Sequence, residues 1–191
     1  MENVNSNGKF KENIILLVIG FVLTSILGGG IGTYFQHRAW ENQWKVLRIE
    51  RELQHKTKVF ERISSLLDER LFRARQLLWS LNGKFKDKDV EQRLQMYRES
   101  VRNWNEQLNS NSALIEIYFG KDFRDKFERE IGKEFVDNGM VIEKLYNQYR
   151  RTKKRVNTTQ AEQKLNDLYK KIYRFDLELL ESIKNLSENP V

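Results

Sequence analysis

Residues 165–186 read LNDLYKKIYRFDLELLESIKNL, the most regular stretch of the chain. Apolar side chains recur in it every three or four residues: Leu165, Leu168, Ile172, Phe175, Leu179, Ile183 and Leu186. Because an α-helix turns once every 3.6 residues, this spacing places all of them on one face. The stretch therefore predicts a long amphipathic helix that packs its apolar face on a core.

Three earlier stretches repeat this spacing. They run from Phe60 to Leu81, from Val90 to Tyr118 with polar Asn111 in the stripe, and from Phe123 to Tyr149. The only proline of the 191 residues is Pro190, so little interrupts these helices. Short connections between long helices favour an antiparallel four-helix bundle over residues 59–187, before a short tail at 188–191. The predicted fold class is all-α.

The residues between the stripes suggest where the helices begin and end. Asn82-Gly83 ends the first helix, Asp89 is a candidate cap of the second, and Gly120 separates the second from the third. Thr159-Gln160-Ala161-Glu162 has the capping-box pattern of a helix start. Asp137-Asn138-Gly139 is typical of a turn but lies inside the third stretch. We expect one long third helix with a kink or a frayed turn there.

The N-terminal region contains an uncharged run from Ile14 to Phe35. About 20 apolar residues are enough to cross a bilayer as a helix, and a cleaved signal peptide has a shorter apolar stretch. The run predicts a transmembrane helix at 13–36 after a short tail at 1–12. A charged segment at 37–58 with no helix breaker follows, and we expect it to connect the span to the bundle as one continuous helix.

Aromatic and basic residues flank the predicted span. Tyr34, Trp40 and Trp44 are candidate anchors at the membrane interface. The flank on the C-terminal side of the span carries more positive charge than the N-terminal flank, at Arg38, Lys45, Arg48 and Arg51. The positive-inside rule then places the chain in the cell membrane as a single-pass protein, with the N-terminus outside and the C-terminal domain in the cytoplasm.

Small residues recur every four positions within the run. One row contains Gly20, Thr24, Gly28 and Gly32, and a parallel row contains Ser25, Gly29 and Thr33. Small residues on one face let two membrane helices approach closely, so the rows predict a homo-oligomer within the lipid bilayer. The run lacks charged residues that could line a pore.

Two basic clusters follow bundle helices, at Lys84, Lys86 and Lys88 and at Arg150, Arg151, Lys153, Lys154 and Arg155. In an up-down-up-down bundle the first and third connections share one end, which we expect to be the end far from the membrane. One interpretation is a solvated helix end, since basic residues complement the helix dipole there. The other is a site for an acidic protein partner; nucleic acid is less favoured because no binding motif accompanies the clusters.

Residues for catalysis or metal binding are few. The chain has no cysteine and two histidines, and Glu52-Leu53-Gln54-His55 is a single copy of a spacing that di-iron bundles use twice. No cofactor, metal or catalytic residue is predicted, and the chain is predicted not to be an enzyme. Arg48 and His55 do match the loose Arg-x(4–6)-His spacing of HEPN-type ribonucleases, although Ile49 replaces the usual polar residue.

The run from Gly32 to Trp40 after the glycine-rich span resembles small bacterial proteins with one N-terminal anchor and a helical C-terminal region. Its order of elements is also similar to that of the membrane accessory protein of type VI CRISPR systems. That likeness implies an oligomeric membrane effector of bacterial defence, either a pore or a HEPN-like ribonuclease accessory, with Arg48 and His55 as the matching residues. The effector is the alternative reading; the leading one is a membrane-anchored, self-associating bundle that acts through protein–protein interaction in assembly, scaffolding or signalling.

Overall fold

The computed structural model describes residues 6–188, and the side chains of residues 6–15, 27–31 and 33 lie outside that description. The described part contains five α-helices, one π-helical segment and no strand, which confirms the all-α class. The helices are α1 (Ser6–Asn82), α2 (Asp87–Phe119), α3 (Lys121–Asp125), the π-helix (Lys126–Gly132), α4 (Lys133–Thr152) and α5 (Thr159–Glu188). Among the residues whose side chains are described, no helix is long and apolar enough to cross a membrane.

The predicted span at 13–36 is therefore not confirmed. Part of it, at 13–15, 27–31 and 33, has side chains outside the described set, so the membrane helix stays a prediction. The chain divides into two compact units between Glu50 and Arg51, inside the predicted connector at 37–58. The final turns of that connector belong to the second unit.

The helices of the second unit alternate in direction. Arg62 of α1 donates a hydrogen bond to Gln107 of α2 (3.0 Å), whereas Arg93 of α2 donates to the backbone oxygen of Gln76 in α1 (3.2 Å). Because the numbers rise on one helix as they fall on the other, the two are antiparallel. Three further helix contacts show the same opposite order. Between α2 and α4, Arg98 bonds to Glu143 and Glu91 to Tyr146; between α1 and α5, Ser64 bonds to Asp176 and Arg75 to Asn166. Along α5, Lys171 bonds to Glu134 of α4 and Glu178 to Lys126 of the π-helix. The unit is a helical bundle, with α3, the π-helix and α4 forming its third member.

The core follows the predicted stripes. In α5 the side chains of Leu165, Leu168, Ile172, Phe175 and Leu179 are buried. Burial of each such side chain stabilises the fold by about 1.5–3 kcal/mol. Across the bundle, the Trp104 ring lies 5.0 Å from the Phe127 ring and 5.4 Å from the Phe135 ring, so it joins α2 to both the π-helix and α4. Asn111 is fully buried within its stripe, and its amide has no hydrogen-bond partner among the described residues.

The frayed turn expected at Asp137-Asn138-Gly139 is wrong, because α4 continues through these residues. Asn138 is buried and its Nδ2 donates to the backbone oxygen of Glu134 (2.9 Å), one turn earlier. Gly139 lies against another helix: a Cβ there would be 3.1 Å from the Tyr97 hydroxyl. These residues thus support close helix packing. The irregular segment is the π-helix upstream, which buries Phe127 and Ile131.

Two predicted caps also change. Asp89 does not cap α2, since that helix begins at Asp87 and its N-cap residue, Lys86, has no side-chain capping bond. The capping box predicted at Thr159–Glu162 does not form among the described residues. Instead, the Thr158 hydroxyl donates to Glu162 Oε1 (2.6 Å), and the Glu162 backbone N–H donates to the Thr158 backbone oxygen (2.9 Å) as an ordinary helix bond.

Candidate functional sites

The structure brings the two basic clusters to the same end of the bundle, here called the basic end. The backbone N–H of Val156, after α4, donates to the backbone oxygen of Leu81 at the end of α1 (3.1 Å). Val156 is buried, so the loop after α4 is fixed against α1. Packing of the connections holds the two clusters at the same end, although their like charges repel each other.

One acidic residue of the basic end is already neutralised. Asp87 accepts a hydrogen bond from the Tyr149 hydroxyl (2.6 Å) and pairs with Lys153 Nζ (2.8 Å). The bonds from Lys153 and Tyr149 lower the pKa of Asp87, and the bond to Asp87 raises the pKa of Tyr149 to about 12. This ties the start of α2 to the end of α4 and occupies Lys153.

The basic side chains of this end, including Lys153 with its partner Asp87, are exposed to solvent. All eight predicted residues are exposed: Lys84, Lys86, Lys88, Arg150, Arg151, Lys153, Lys154 and Arg155. Beside them, the Trp79 ring meets the Phe85 ring edge to face at 4.7 Å, and the Arg93 guanidinium lies 4.9 Å from Trp79. Trp79 is itself exposed. A surface with excess positive charge and one exposed aromatic ring is suited to an acidic partner.

The predicted residues of the first unit lie on α1. Thr24 Oγ1 donates to the backbone oxygen of Gly20 (2.7 Å), so its hydroxyl is satisfied within the helix. A Cβ on Gly20 or Gly32 would meet nothing within 4 Å among the described atoms. Ser25 is exposed, and Gly28 and Gly29 lie outside the residues whose surroundings are described. The predicted anchors Tyr34, Trp40 and Trp44 are all exposed.

Arg48 lies in the first unit and His55 in the second, because the chain divides after Glu50. The His55 ring stacks on the Tyr118 ring with centroids 5.7 Å apart, which gives the histidine a packing contact within the bundle. Over the described residues, no group of three or more histidine, aspartate or glutamate side chains could hold a metal ion.

A second candidate site, absent from the sequence-based predictions, surrounds Arg70. This side chain is only 4% exposed, and its guanidinium lies 5.0 Å from the Trp104 ring and 4.5 Å from the Phe135 ring. It lines a cavity of about 500 Å³ between α1, α2 and α4, whose wall is mostly apolar. The wall residues include Tyr97, Val101, Phe135, Val136, Gly139 and Met140.

A sequence signal for this site existed. Arg70 follows Leu67 by three residues and precedes Ala74 by four, so it occupies a core-facing position of the first stripe. A charged residue in an otherwise apolar stripe needs an explanation, because a buried charge is costly unless it is paired.

Comparison of the chain with protein-family models, with curated proteins and with solved structures finds no match.

Proposed function

We propose that this chain is a single-pass membrane protein that self-associates through its N-terminal helix and acts by protein–protein interaction. Its N-terminus would lie outside the cell and its bundle in the cytoplasm. One observation carries the proposal. From Leu16 to Ile26 every large apolar side chain of α1 is exposed. A helix that is apolar on all sides requires a lipid or protein environment.

A flotation assay tests the membrane part. The full chain is expected to float with lipid vesicles in a density gradient and to stay with them after washing at alkaline pH. A chain that remains in the aqueous fractions without detergent, as a single disperse species, would contradict a membrane anchor. The salt dependence of flotation separates insertion from surface attraction, because charge-driven binding weakens as the Debye length falls.

Self-association is supported by the small-residue rows, along which a second backbone could approach closely. The double variant Gly28→Leu, Gly32→Leu is expected to reduce chemical crosslinking between copies of the full chain in vesicles. Val22→Leu is the matched control, since it enlarges an exposed side chain of the same helix outside the rows. An unchanged crosslinking pattern in the glycine variant would rule out this interface.

The basic end is the proposed surface for an acidic protein partner, because its exposed cations exceed the nearby carboxylates. Lys154→Glu with Arg155→Glu reverses two exposed charges and leaves the Lys153–Asp87 pair intact. We expect this variant to lose partners recovered by crosslinking in cells, whereas Arg102→Glu, exposed elsewhere on α2, retains them. Recovery that disappears on nuclease treatment would instead identify nucleic acid as the partner.

A further inference from the structure

Arg70 is a buried charge without a hydrogen-bonding partner. Its Nε and Nη1 are inaccessible to solvent and have no acceptor among the described residues. The flanking rings of Trp104 and Phe135 offset part of the desolvation cost through cation–π attraction, but a ring face does not replace a hydrogen-bond acceptor. Buried polar groups in native proteins are nearly always satisfied, so two open donors on one side chain leave the positive charge of Arg70 uncompensated beside the cavity.

The carboxylate in the cavity wall is already engaged. Glu143 lies in the cavity wall, but Arg98 donates to both of its oxygens, from Nε at 3.0 Å and from Nη2 at 2.9 Å. Burial lowers the pKa of Arg70 to about 10, with Tyr97 opposing that shift, so the guanidinium stays protonated at neutral pH. Lys144, also in the wall, adds further positive charge.

The cavity has the size and lining of a small-molecule site. Its volume of about 500 Å³ falls within the usual range for ligand pockets, and such pockets combine apolar walls with a few polar groups. Gly139 helps to form it, because a side chain at this position would press on the Tyr97 hydroxyl. At the rim, Val136 and Met140 are both more than half exposed, although they are large apolar residues.

We propose that this cavity binds a small organic carboxylate with an apolar body. The carboxylate pairs with the Arg70 guanidinium where that side chain forms part of the cavity wall, and the apolar body covers Val136 and Met140. This site is distinct from the surfaces of the proposed function and does not depend on them.

Isothermal titration calorimetry of the full chain in nanodiscs tests the proposal, with 3-phenylpropanoate as the probe. Its uncharged analogue 3-phenylpropanamide is expected to bind at least about tenfold more weakly, because it lacks the charge-assisted bond. Arg70→Met is expected to cause a similar loss for the acid. Arg75→Met is the matched control: Arg75 is on the same helix and stacks on Tyr169 (5.1 Å), but it donates to Asn166 and lies outside the cavity wall.

A second pair of variants keeps the test valid if Arg70→Met fails to fold. Met140→Glu places a carboxylate at the rim and is expected to weaken binding of the acid about tenfold, whereas Met140→Gln retains binding within about threefold. Equal affinity for acid and amide, wild-type affinity in folded Arg70→Met, or no binding of the acid at all would overturn the proposal. Binding of inorganic phosphate without binding of the carboxylate would overturn the assigned ligand class.

Discussion

Asp176 lies on α5 where that helix contacts α1, and ionisation of its carboxyl makes the stability of the bundle depend on pH. Desolvation raises the pKa of its carboxyl from 3.8 to about 6; the nearby Asp68 charge adds to the shift, and the Ser64 hydroxyl, which donates to Oδ1 at 2.8 Å, opposes it. The folded protein therefore binds this proton more tightly than the unfolded chain does. The stabilising contribution is fully present below about pH 4 and is lost as pH rises through about 6.

The magnitude follows from the shift. A displacement of about two pKa units corresponds to roughly 3 kcal/mol, since each unit is worth 1.36 kcal/mol. Solvent reaches part of the Asp176 side chain, and screening reduces this figure to about 1–2 kcal/mol. Asp176→Asn removes the ionised form and retains an oxygen that can accept the Ser64 hydrogen bond. The variant is therefore expected to be about 1–2 kcal/mol more stable than the wild type at pH 7 and equally stable at pH 4.

Urea unfolding at several pH values between 4 and 7, followed by tryptophan fluorescence, measures this difference. Asp167→Asn is the control, because Asp167 is on the same helix, exposed, and paired with Lys170 at 2.9 Å. The control is expected to show no comparable gain as pH rises. A difference between Asp176→Asn and wild type that is the same at pH 4 and pH 7 would refute the assignment of the effect to a raised carboxyl pKa.

Three further substitutions test the packing and the helix ends, each by chemical denaturation. Trp104→Ala removes the ring that contacts Phe127 and Phe135, and it should lower the free energy of unfolding by about 3–5 kcal/mol; a loss below about 1 kcal/mol would contradict its central place. Thr158→Val deletes the buried hydroxyl that donates to Glu162 and should cost about 1 kcal/mol, the usual net worth of a hydrogen bond, whereas Thr159→Val should cost less. Gly120→Ala should cost about 1–3 kcal/mol because φ is 99° there, although a Cβ would meet no atom within 4 Å; no loss would show that strain is absent.

Regular features of the bundle could be predicted from the sequence. The stripe at residues 165–186 predicted the buried face of α5, because residues three or four positions apart lie on the same face of a helix. Its last members, Ile183 and Leu186, are only half-buried. The turn chemistry of Asp137-Asn138-Gly139 was misleading because local propensity competes with packing. Burial of Asn138 and the approach of Tyr97 to Gly139 outweigh the tendency to turn.

The sequence by itself determined the helical class, the core faces and the residues of the two basic clusters, since these depend on spacing along one chain. Only the tertiary structure decided which groups from distant helices meet. It placed Leu81 against Val156, and it enclosed Arg70 between Trp104 of α2 and Phe135 of α4. Residues far apart in the sequence are related only through packing, so the sequence marks Arg70 as a charge in an apolar stripe but does not reveal the cavity that three helices form around it.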